Sequence, residues 1–380
     1  MENSAFDQIE QALKSRGAEA TFDYLIQRFL EEKDYARIFQ TRLLKKRFEL
    51  GLPLIHRDLF DGLAPDQRKT YEEAFVQAAR ETGELFLADG DIPRAWSYFR
   101  AIGETSPIAA AIEKIDQHEN MAAIIEIAFH EQAHPRKGFE LILNHYGICR
   151  AISSVFQYPA GQGREDCIGL LLRTVHHDLL ANLKRTISQR EGQAPETSNL
   201  AELLVGRDWL FEDNCYYIDT SHVVSVIQYT LEVSRREPLE LALQLAEYGT
   251  HLGPMFQQTG NPPFERFEDY AFYLRALLGR EPEAALAHFR AKVSQSDPSE
   301  VGTAPAQALV TLLARLERYD EAIAISLVHL KGVDPSQLAC PSVQQLCQAG
   351  KDFAQLREIS REQGDPIGFA AAVLQARPTD

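Results

Sequence analysis

The chain has 380 residues, 45% of them hydrophobic and 25% charged, with 18 Pro and 22 Gly. That composition excludes a collagen-like or low-complexity chain, and the length supports one large core or two to three small ones without disulfide or metal staples. With 39 Lys and Arg against 55 Asp and Glu the net charge is −16, which argues against a broad nucleic-acid or anionic-membrane surface.

The first residues, Met1 to Asp7, carry neither a basic stretch nor an apolar run, so no secretory signal is expected. The longest apolar runs, residues 121–129 and 308–316, are each broken by a charge. Both fall well short of the roughly 18 apolar residues a spanning helix needs. The cysteines (149, 167, 215, 340 and 347) are odd in number and form no C-x-x-C pair. Reduced thiols and a cytoplasmic location are the expectation.

Helical periodicity then runs along nearly the whole chain. Residues 5–30 place Phe6, Ile9, Leu13, Phe22, Leu25, Ile26 and Phe29 at three- and four-residue spacings. The basic run Arg42, Lys45, Lys46 and Arg47 reads as a solvated helix face. Residues 71–88 repeat the helical pattern with Phe75, Ala78, Ala79, Leu85 and Phe86. Gly or Pro breaks every 15–25 residues punctuate short helices joined by tight turns. Residues 170–187 form an amphipathic helix with Leu172, Val175, His176, Leu179 and Leu183 on its inner stripe. Residues 188–199 read as an exposed loop. Residues 223–233, β-branched and partly alternating, are assigned to helix by context. Residues 255–268, with Asn261-Pro262-Pro263, cannot be one helix.

A loose repeat joins several of these segments. Residues 85–100, 272–290, 309–327 and 346–359 each show an apolar helix end, a polar turn and a second helix. A small residue is expected on the inner face of that second helix: Ala95, Ala285, Ala322 and Ala354. A small side chain there lets paired helices approach closely, and each hairpin buries its remaining face on the next. In the turn, the Ala and one aromatic (Phe99 or Phe289), these segments resemble the tetratricopeptide-repeat superfamily, although the full Trp, Leu-Gly and Tyr pattern is absent. The resemblance implies an all-α fold, a right-handed α-α superhelix of helical hairpins. It also implies a concave face that binds a peptide or protein partner. Three regions are expected: N-terminal hairpins over 1–115, a central segment over 116–236, and C-terminal repeats over 237–380.

The central segment holds the residues that could carry chemistry. Six of the 11 His fall between residues 130 and 222. Residues 130–134 read His130-Glu131-Gln132-Ala133-His134. On one helix, His at i and i+4 share a face and can bind one metal ion, with the Glu between them as general base on bound water. In this the segment is similar to the zinc-metallopeptidase motif. It departs from it at Pro135, which is expected to stop the helix, and at Lys137 and Glu140, where the extended motif has Gly and a third His. Glu126 would orient His130 from one turn earlier. His176 or His222 would complete the ligand set, with Asp178 and His145 as second choices. Asp219 or Thr220 would cap the helix that carries His222. Tyr216, Tyr217 and Asp219 would line a substrate pocket. The implied cofactor is zinc or another divalent metal, and the implied activity is hydrolysis or proton transfer. The alternative is a non-catalytic scaffold. No G-x-S-x-G, G-x-G-x-x-G or P-loop pattern competes with these readings.

Overall fold

The computed structural model describes residues 2–55, 62–158, 162–193 and 195–376. Residue 194 of the expected 188–199 loop therefore lies outside the described residues. The fold is all-α. Among the described residues there is no β-strand, only one isolated bridge between Gln258 and Arg266. No helix among them is long and apolar enough to cross a membrane.

The chain divides into two compact units, Met1–Ser154 and Val155–Asp380. The expected boundaries at 115/116 and 236/237 both fall inside a unit rather than between units.

The first unit contains α1 (Glu2–Glu31), α2 (Tyr35–Glu49), α3 (Pro65–Ala88), α4 (Ile92–Ala101), α5 (Ser106–Ile112), α6 (Met121–Ile125) and α7 (Pro135–Tyr146). It closes with α8 (Ile148–Val155), which ends at the boundary. Consecutive helices pack on one another from α1 to α4. In α1, Gly17 takes φ +81° and breaks the helical path. The Tyr24 hydroxyl donates to Gln8 Oε1, sixteen residues away in sequence. An unbroken helix would hold these residues about 24 Å apart, so α1 folds back on itself at Gly17.

The second unit contains α9 (Gln162–Glu191), α10 (Leu200–Leu204), α11 (Thr220–Tyr229), α12 (Arg236–Thr250), α13 (Phe267–Leu277) and α14 (Pro282–Gln295). It continues through α15 (Pro298–Val301), α16 (Ala304–Arg315), α17 (Tyr319–His329), α18 (Val343–Gly350), α19 (Phe353–Gln363) and α20 (Pro366–Gln375). Here too, sequential pairs dominate: α12 with α13, α13 with α14, α16 with α17, α18 with α19 and α19 with α20.

All four repeat segments are helical hairpins: α3–α4, α13–α14, α16–α17 and α18–α19. Their turns, and those between α1 and α2 and between α19 and α20, share one backbone solution. Lys33, Gly90, Gly279, Glu317, Lys351 and Gly364 all have φ between +54° and +80°. The N–H of the next residue reaches the carbonyl five residues earlier: Asp34 to Phe29, Asp91 to Phe86, Arg280 to Arg275, Arg318 to Leu313, Asp352 to Cys347 and Asp365 to Ser360, at 2.8–2.9 Å. This closure satisfies carbonyls that the ending helix leaves open. In four of the turns the residue after the left-handed one is Asp, and its carboxylate caps the next helix: Asp34, Asp91, Asp352 and Asp365.

The fourth residue of the second helix enters the core. It is Ala95, Ala285 or Ala322, each fully buried. In α19 that position is Leu356, also buried, whereas Ala354 is exposed. The expectation for Ala354 is therefore corrected by two positions: one helical turn past the cap faces inward, and the second helical residue faces water. Four residues after the buried Ala, Phe99 and Phe289 are each fully buried. Phe99 lies over Gly83, where a methyl group would come within 2.6 Å of its ring. Phe289 joins Phe264, Tyr270 and Tyr273 in the second unit's aromatic core.

Of the basic run on α2, Arg42 pairs with Glu81, Lys45 with Asp23 and Lys46 with Glu49. Arg47 is 1% exposed, and its Nε donates to the Pro53 carbonyl at 2.8 Å. The solvated-face reading fails at Arg47, which ties the α2 end to the following chain from inside.

Candidate functional site

The His-Glu-Gln-Ala-His segment is not one helix. After α6 the backbone widens to a π-turn over Glu126–His130, and helical geometry stops there. Gln132 takes φ +62°. The Ala133 and His134 amides bond back to the carbonyls of Ile127 and Ala128. His134, at φ −153° and ψ +72°, sits just before α7. Pro135 is then the first residue of a new helix rather than the end of an old one, a place where its missing N–H costs nothing. The expected i, i+4 face is thus lost, because the two imidazoles belong to different elements.

Each member of the motif has its own surroundings. Glu131 is drawn toward the preceding hairpin: the Trp96 indole N–H donates to its Oε2 at 2.8 Å, and Arg100 pairs with the same oxygen. The Trp96 N–H, aided by the Arg100 guanidinium, holds the Glu131 carboxyl below the usual carboxylate range. A general base on metal-bound water needs the opposite tuning. His134 Nε2 lies 2.7 Å from Glu113 Oε2, which also accepts from Arg136 at its other oxygen. His130 is exposed and stands edge-on to Phe129 at 5.1 Å. The Glu126 side chain is exposed, while its carbonyl accepts the Glu131 amide.

His145 lies in the last turn of α7, as expected, with its ring against Tyr146. Together with Asp116 and His118 it borders a cleft of about 400 Å³. There the His118 Nδ1 accepts the Asn120 amide, and Asp116 lies 3.5 Å from the buried Lys137 ammonium.

The remaining candidates belong to the second unit. His176 faces the α9 core stripe as its spacing predicts, beside fully buried Leu172 and Leu179. Its Nε2 is 3.1 Å from Gln244 Oε1, and the same oxygen accepts the Leu200 amide at 2.9 Å. An amide oxygen can only accept, so the His176 proton is on Nε2. Burial pushes the imidazole pKa down, against the raising effect of that hydrogen bond. Asp219 is the cap of α11: its Oδ1 accepts from the Ser221 amide and hydroxyl, and that bonding lowers its pKa. His222 follows in the first turn, half-buried. Tyr217 is structural. Its hydroxyl donates to the Leu210 carbonyl, its amide donates to the Tyr248 hydroxyl, and its carbonyl accepts from Asn182. Tyr216 is exposed and packs edge-on against Phe256 at 5.1 Å. Asp178 is exposed on α9.

Among the described residues, no group of three or more His, Cys, Asp or Glu side chains is placed to hold a metal ion. What the structure assembles around this segment is a fastened corner, made by Trp96, Arg100 and Glu131 on one side and by Glu113, His134 and Arg136 on the other. Sequence reading missed Trp96 and Arg100. The available signal was that a Trp spaced for burial requires an acceptor for its N–H.

A larger apolar recess lies elsewhere in the first unit. Helices α1 to α4 enclose about 720 Å³, lined by Leu25 and Phe29, by Ala36, Phe39 and Leu44, and by Tyr98. Phe39 stands edge-on to both Phe75 and Tyr98, which fixes that wall. Comparison of the chain with family models, with curated proteins and with solved structures finds no match among them.

Proposed function

We propose that the chain is a non-catalytic helical-repeat scaffold of the tetratricopeptide-like kind. In this reading it binds a peptide or protein partner through apolar side chains seated in the α1–α4 recess. The recess carries the proposal: about 720 Å³ walled by aliphatic and aromatic side chains, with Ala36, Arg37 and Gln40 exposed at its edge. Binding sites are typically concave, apolar and edged by a few polar groups. Helical hairpins offer such surfaces to extended or helical peptides. Neither a nucleic acid nor a membrane suits a chain of net charge −16. The competing reading, a zinc-dependent hydrolase or proton-transfer enzyme, needs Glu131 free to act on water. That carboxylate is engaged by Trp96 and Arg100.

The test uses Ala36→Glu. Ala36 is exposed in the first turn of α2, where a carboxylate suits the helix dipole, so the fold should be preserved while a charge enters the recess. Proteins co-purifying with the native chain are expected to be lost from the variant at unchanged circular dichroism. An unchanged set of partners overturns the recess. Stoichiometric metal by elemental analysis, lost in both His130→Ala and His134→Ala, overturns the scaffold reading in favour of the metal enzyme.

A further inference from the structure

Helix α20 is ten residues long, Pro366-Ile-Gly-Phe-Ala-Ala-Ala-Val-Leu-Gln375, without one charged side chain. Of these ten, only Ala372 is buried. Ile367 is 81% exposed and Leu374 is 63% exposed, and Ala370 and Ala371 between them are exposed as well. The spacing i, i+3, i+4, i+7 puts these four on one stripe. Ala372 and Phe369 lie on the opposite side, where the Arg361 guanidinium of α19 sits over the Phe369 ring at 5.2 Å. One face of α20 is therefore spent on α19, and the other is a complete apolar stripe turned to water.

The chemistry of the stripe selects its occupant. It reads large, small, small, large in either direction. Two copies laid antiparallel about a two-fold axis place Ile367 of one beside Leu374 of the other, with the Ala pairs at the crossing, where short side chains let the axes approach. Charge agrees. The chain as a whole carries −16 and repels itself. Across 353–376, however, the charged residues are Arg357 and Arg361 against Glu358, Glu362 and Asp365. Both arginines are already paired with Glu358. Like copies thus meet at a nearly neutral surface. We propose that the exposed stripe of α20 is a self-association face, forming an antiparallel two-fold dimer of this chain.

A ten-residue helix is about 15 Å long. Its stripe alone buries less than the roughly 1,200 Å² of standard stable complexes. The dimer is therefore a weak one.

Sedimentation equilibrium of the full chain from about 1 to about 200 µM tests this. The expected result is a monomer–dimer equilibrium in the native chain that weakens at least tenfold in Ile367→Glu and in Leu374→Glu. Both positions are exposed, so the helical circular dichroism should be unchanged. Phe6→Glu, at an exposed apolar position of the first unit (68% exposed), should leave the equilibrium as it is. A native chain that stays monomeric at every concentration overturns the proposal and leaves the face to a different protein. Dimerisation that survives both α20 variants overturns it. So do open-ended polymers that Phe6→Glu abolishes, since they would mean head-to-tail contact.

Discussion

His176 shows how one side chain can answer a question that a motif cannot. Its place on the inner stripe was legible from spacing alone, and its partner, Gln244, lies 68 residues away and was not. Because burial lowers its folded-state pKa, the unfolded chain takes up the proton first as pH falls. The stability from neutral His176 is thus fully present above the ordinary imidazole range and is lost as pH falls through and below it. Urea unfolding at pH 7 and pH 5 should show the native chain losing stability over that interval. His176→Gln should cost about 1 kcal/mol at pH 7 and reduce that loss. An unchanged pH dependence in the variant would place the titrating group elsewhere. Glu131 gives the opposite lesson. Its chemistry depends on whether its carboxylate is free, and the Trp96 and Arg100 contacts that engage it come from another hairpin. No local pattern around residue 131 encodes them.

At the scale of elements, the hairpins were legible and their register was not. Apolar spacing located both helices of each repeat, but the inner position counts from the cap, and the cap depends on which residue turns left-handed. Gly90 advertises that role, whereas Lys33, Glu317 and Lys351 hide it. The Asp that follows in four turns is the better signal, since its cap bond fixes the first helical residue. Counting four residues from there finds Ile38, Ala95 and Leu356, all buried, and Phe369, half-buried, and passes over Ala354. Equilibrium denaturation should therefore find Leu356→Ala costing about 2–5 kcal/mol and Ala354→Leu staying within about 0.5 kcal/mol. Removing the cap by Asp352→Ala should cost about 1 kcal/mol. The same reasoning explains Pro135. A proline after a helical run reads equally as a stop or a start, and only the π-turn and the left-handed Gln132 decide for a start.

Over the whole molecule, the all-α class followed from periodicity. The packing boundary, between residues 154 and 155, falls within the expected central segment 116–236. Two units with separate cores need not unfold in one step. Differential scanning calorimetry should resolve two transitions. Phe99→Ala should lower the one belonging to the first unit, and Phe289→Ala the one belonging to the second, each by about 3–5 kcal/mol. A single transition shifted equally by both variants would mean that the two cores melt together.

The two tryptophans of the chain make those events visible one at a time. Trp96 sits in the first unit with its indole N–H on a carboxylate, and Trp209 sits in the second with the Arg190 guanidinium 4.1 Å over its ring. One ring faces a negative charge at its edge and the other a positive charge at its face, so their emission responds to different losses. Replacing either by Phe turns the remaining indole into a native optical probe of a single unit. In Trp209→Phe the surviving signal reports the Glu131 corner itself: protonating that carboxylate removes the negative charge beside the Trp96 indole and should change its emission.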